Sequence, residues 1–146
     1  MENNIQDKNY ELNLTYSRII SIAWIIIFSV TFVLTLINLI LHFGYWVDWS
    51  GRWYSLPISY LLGAMVNLFT FNLLKNNISS SLEHARANTL TNYVIRLAAY
   101  GFILYIAFIN AREKQILNPY FVASGFLTIR VAIYIYSFKI NKNRKG

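Results

Sequence analysis

Cysteine is missing from the 146 residues, which excludes disulfides, thiolate metal ligands and cysteine nucleophiles. Charge is scarce too: 13% of residues are charged, against roughly a quarter in a soluble domain. The scarcity is uneven. Twenty-three consecutive residues from Ile19 to Leu41 carry no charge, and none of the chain's long apolar stretches contains Asp or Glu. The only two histidines are His42 and His84. His84 beside Glu83 lacks the spacing of a zinc site. No nucleophile stands with a base and an orienting third group, so no enzyme activity, metal or cofactor is expected.

What is present in excess is apolar surface. Hydrophobic residues make up 56% of the chain and aromatic residues 17%, for a mean hydropathy of +0.40. The segment Tyr93–Ile109 is seventeen apolar and aromatic residues broken only by Arg96, too long for an ordinary strand. The composition predicts an all-α integral membrane protein, a four-transmembrane-helix bundle forming one membrane domain over 1–146. Its spans are expected at about 19–43, 54–74, 93–109 and 119–138, with 75–92 as a cytoplasmic loop. The first apolar run is longer than the core of a signal peptide and lacks a small-residue exit, so it is expected to stay as an uncleaved anchor.

The joining segments read as follows. Residues 1–18 form a polar tail that becomes helical near Leu12–Tyr16. His42, Tyr45, Trp46, Trp49 and Trp53 crowd the end of span one like an interfacial belt, with Asp48, Ser50, Gly51 and Arg52 as the turn. Pro57 falls in the first turn of span two, where a missing amide proton costs little. Ser80 and Glu83 have the spacing of a capping box that opens a short helix towards span three. An elbow at Arg112, Glu113 and Lys114 precedes Asn118-Pro119, which starts span four.

The formal net charge of +7 does not point to nucleic acid. No aromatic-basic signature accompanies it, and the cations cluster beside the apolar runs, where they meet anionic membrane lipid and set orientation. Eight Lys and Arg fall in the N-terminal tail, the middle loop and the C-terminal tail, against three in the other two loops. That bias places both termini and the middle loop in the cytoplasm.

Within the spans, Gly63, Asn67 and Thr70 recur at helical spacing on one face. Small and amide-bearing residues in one stripe suit a close helix contact in lipid, with an interhelical hydrogen bond. Arg96 and Arg130 are the only charges inside spans. Arg96 stands near the cytoplasmic end, within reach of the headgroups. Arg130 is deeper, where snorkelling is harder, and is expected inside the bundle or against a partner, paired with an acidic group or with backbone carbonyls; with no carboxylate in any span, an acidic partner would come from another subunit.

Three stretches also carry a family resemblance. In span two Gly63, Asn67, Thr70, Phe71, Leu73 and Leu74 follow a pattern of Gly, small polar residues, Phe and two Leu. Span three opens with Arg96 before the aromatic positions Tyr100 and Tyr105. Span four has a Gly-Leu-like turn, Gly125, Phe126 and Leu127, followed by the basic residue Arg130, and the tail is basic. In this order of features the chain resembles the ATP synthase subunit I family, small four-span proteins encoded beside the bacterial F-type ATP synthase subunits. The resemblance covers about residues 54–135. It implies a multi-pass protein of the bacterial cell membrane, a non-enzymatic factor that helps the ring of c-subunits assemble or stabilises the enzyme. Gly63, Asn67, Thr70, Arg96, Gly125 and Arg130 are the expected partner-binding residues. C-subunits or other membrane subunits are then the expected partners, and self-association stays open. A small oligomeric transporter or channel component for a cation such as magnesium is the alternative. The lack of membrane carboxylates weighs against direct conduction.

Overall fold

The computed structural model describes residues 2–43, 54–80, 85–114, 116–144 and 146. Those residues form five helices and no strand: α1 (Glu2–Phe43), α2 (Ser55–Ser80), α3 (Ala85–Glu113), α4 (Pro119–Gly125) and α5 (Thr128–Arg144). Four stretches are long and apolar enough to cross a membrane: Gln6–Phe43, Ser55–Lys75, Thr91–Glu113 and Pro119–Arg144. The last combines α4 and α5 across a turn.

Helix α1 exceeds the expected span in one direction. Nothing between Glu2 and Phe43 is Gly or Pro, so a helix nucleated in the apolar run propagates outward at the cost of one residue at a time. The polar tail is therefore helical throughout, rather than only near Leu12–Tyr16. The same propagation carries α2 past Lys75 to Ser80, while α3 is already helical from Ala85. Helix thus occupies most of the 75–92 segment expected to be a loop. Arg112 and Glu113 lie in the last turn of α3 rather than in an elbow. The aromatic cluster Tyr45, Trp46, Trp49 and Trp53, its turn, and Glu83 and His84 lie outside the described residues.

Helix α2 is the axis of the packing and touches all four other helices. On one side α1 offers Ile19, Ala23 and Ile27, buried at a four-residue spacing that lines one face of the helix. Ile19 and Ala23 pack with Phe71 of α2 and with Ile129 and Ala132 of α5. Ile27 packs with Tyr60 and Ala64 of α2. On the other side α3 leans on α2 and α4. Large apolar side chains such as Phe28, Phe69, Phe102 and Tyr134 point outward, as expected where the surroundings are hydrocarbon rather than water.

Span four is in two pieces. Asn118 caps α4: its side-chain oxygen accepts the Tyr120 amide at 3.0 Å, and Pro119 supplies the first turn. The Asn118 amide in turn donates to Ser59 Oγ at 2.7 Å, which ties the cap to α2. At the other end the amides of Phe126 and Leu127 bond three residues back, to Ala123 and Ser124, both at 3.1 Å. This tight turn closes α4 before α5 starts at Thr128.

Candidate functional site

The break in span four sits where the stripe of α2 meets it. Gly63 lies directly against the backbone of Val122, and a Cβ there would collide with the Val122 carbonyl oxygen. Reciprocally, a Cβ on Gly125 would stand 2.6 Å from both the Tyr60 carbonyl oxygen and the Ala64 amide nitrogen. The two backbones touch with no side chain between them, the approach that small residues permit. Both glycines are consumed by the chain's own packing.

One and two turns further along α2 the contact turns polar. A helix break leaves carbonyls without intrahelical donors, and in an apolar setting each must find one. Asn67 supplies it. Its Nδ2 donates to the Phe126 carbonyl at 2.7 Å, and its Oδ1 accepts the Tyr100 hydroxyl of α3, also at 2.7 Å. The Tyr100 ring stacks on Phe126 with centroids 4.3 Å apart and planes 24° from parallel. Thr70 closes the group: its hydroxyl lies 3.0 Å from the Asn67 carbonyl and 3.1 Å from the Tyr100 oxygen. Two hydroxyl protons serve three contacts. With the Tyr100 proton on Asn67, the Thr70 proton must choose between the Asn67 carbonyl and the Tyr100 oxygen. On the far side of the break, the Tyr60 hydroxyl and Thr128 Oγ1 are 2.9 Å apart, which fixes the start of α5 to α2.

Arg96 stands one turn before Tyr100 on α3. Its Nη2 donates to the Thr70 carbonyl at 3.3 Å, while its Nε is buried with no hydrogen-bond partner. A small cavity of about 100 Å³ opens beside it, lined also by Asn92, Ile95, Leu73 and Leu74. Arg130 behaves differently. It is exposed, two residues into α5, and among the described residues no hydrogen bond or ion pair engages it.

The structure therefore brings together five of the six residues singled out by the sequence and separates the sixth. Gly63, Asn67, Thr70, Arg96 and Gly125 surround the break, and Arg130 faces out. Tyr100, Tyr60 and Thr128 complete the polar group without having been singled out as site residues. Tyr100 had one usable signal, its position four residues after Arg96 and hence on the same helix face. No group of three or more His, Asp or Glu that could hold a metal occurs among the described residues.

Fold and site together define a class: an all-helical chain with four membrane-length apolar helices, one of them broken and its break sealed by an asparagine. Nothing more particular comes from known proteins, since no protein family, curated protein or solved structure matches the chain.

Proposed function

We propose that the chain is a multi-pass protein of the bacterial cell membrane, with both termini cytoplasmic, that assists the assembly of other membrane subunits and catalyses no reaction. The observation that carries this is the position of Arg130. A cation at depth costs about 3 kcal/mol even on the mildest scales. The Asn67, Thr70 and Tyr100 side chains are paired with one another within the chain, whereas the Arg130 guanidinium lies exposed in the middle of span four. The group that would offset it is a carboxylate on a neighbouring helix. A c-type subunit, a helical hairpin with one buried acidic residue, has that chemistry, in keeping with the resemblance to the ATP synthase subunit I family.

The partner surface suggested by this placement is narrower than the stripe. Gly63, Asn67, Thr70 and Gly125 serve the fold, so the contact centres on Arg130 and on Tyr134, which is 75% exposed one turn later on α5. The test is capture of c-subunits from detergent extracts by the tagged chain, with a photo-crosslinker at Tyr134. Arg130→Leu should lower capture at least tenfold while leaving the unfolding midpoint of the isolated chain unchanged or raised, because an unpaired cation has been removed. Equal capture by both forms would refute an assembly role centred on this residue.

The break in span four is the feature a transport reading would use, since discontinuous helices bind ions in transporters. The Phe126 carbonyl there is already held by Asn67. Ion flux into liposomes holding only this chain would favour transport over assembly.

A further inference from the structure

A second site lies between α1 and α5, midway along α1 and in the C-terminal half of α5. A cleft of about 330 Å³ opens there, at the small end of the roughly 300–1,000 Å³ typical of ligand pockets. Arg18 of α1 and Lys139 of α5 line it from its two walls, with Ser17, Tyr136, Asn143 and Ile22 between them. None of its eight lining residues is acidic. Two cations from different helices thus face one cavity with no carboxylate in its lining to neutralise them.

We infer that this cleft binds the phosphate headgroup of an anionic phospholipid, an inference that rests on the membrane placement proposed above but not on the assembly role. Arg18 offers a planar fork that can hold two phosphate oxygens, and Lys139 adds a compact charge from the other wall. Asn143 and Tyr136 add neutral donors. Ser21 does not, because its hydroxyl proton goes to the Ser17 carbonyl at 3.0 Å. The lipid, rather than free phosphate, follows from what adjoins the cations. Ile22 and Ile140 line the same cleft. Ile25 and Ile133, both exposed, continue the two faces into the apolar span at helical spacing. A headgroup on Arg18 and Lys139 would lay its acyl chain along that track. A choline headgroup would bring its own cation against the pair.

Titration of single lipids into the purified full chain in dodecyl maltoside, read by native mass spectrometry, removes the surface potential that would otherwise attract any basic protein. Wild type should retain one phosphatidylglycerol in preference to phosphatidylcholine. The double variant Arg18→Gln/Lys139→Gln should bind it about thirtyfold more weakly, on the scale of two cations near an anionic headgroup. Lys142→Gln/Arg144→Gln removes the same charge from the same end of α5 but outside the cleft, and should change binding less than about twofold. Ser21→Phe, which fills the cleft and keeps both cations, should also lose the lipid. Equal losses in the two double variants, equal retention of phosphatidylcholine, or displacement of the lipid by millimolar inorganic phosphate would each overturn the inference. Resistance of the chain to carbonate extraction reports the membrane placement separately, so failure of the headgroup site and failure of that placement can be told apart.

Discussion

Helices α2 and α3 are of similar apolarity and take opposite places in the molecule. In its most apolar window α2 is 56% buried and α3 only 6%. Hydropathy cannot distinguish them. What does is the stripe of Gly63, Asn67 and Thr70: a helix that must touch protein carries small residues for approach and an amide for bonding, and one that faces hydrocarbon needs neither. The glycine of α3 makes the contrast plain. A Cβ on Gly101 meets nothing within 4 Å, whereas one on Gly63 strikes a neighbour's backbone.

The strongest test of that contrast is a pair of identical changes. Gly63→Leu should destabilise the chain by about 3 kcal/mol, the upper end of the overpacking range, because the obstructing atoms are backbone and cannot rotate away. Gly101→Leu should cost nothing measurable. Titration from dodecyl maltoside into sodium dodecyl sulfate, followed by near-UV circular dichroism, reads both, and equal losses would dissolve the distinction. Asn67→Leu comes next. It strands the Phe126 carbonyl and leaves the Tyr100 hydroxyl only Thr70 as a partner, for a loss of about 2 kcal/mol in the same titration.

Smaller effects sharpen the comparison at the edge where the two helices meet. Tyr100→Phe keeps the stack on Phe126 and removes one hydroxyl, so about 0.6 kcal/mol is expected, the average for an interhelical hydrogen bond in a membrane protein. A loss as large as that of Asn67→Leu would mean that the α3 hydroxyl, not the α2 amide, holds the break. Gly101→Ala is the smallest change and should be slightly stabilising, by about 0.5 kcal/mol, from backbone entropy alone.

The residues of the polar group were legible in the sequence to an uneven degree. Spacing revealed the α2 stripe, because three chemically unusual residues fell on one face. It could not reveal what the stripe meets. A foreign helix and span four of the same chain satisfy the same pattern, and here Gly125 supplies the complementary surface from within. The break was marked only by the Gly-Leu-like turn of the resemblance: Phe126 and Leu127 are apolar, so hydropathy runs through them without interruption. The helical tail was illegible because helix there comes from propagation, and residues 2–18 need no apolar period of their own to join it. Arg130 was recognised as an unpaired cation. Its outward orientation depends on how α5 rotates against α1, which is fixed by Ile129 and Ala132 beside it.

The length of α1 has a mechanical corollary. Its 42 residues extend about 63 Å at the rise of an α-helix, roughly twice the hydrocarbon thickness of a bilayer. With neither glycine nor proline between Glu2 and Phe43, the rod has no joint at which to yield. Any load applied near Asn9 would travel as a tilt of the whole shaft and reach Ile27 where it bears on Tyr60. The helix is thereby a lever whose fulcrum is its contact with α2.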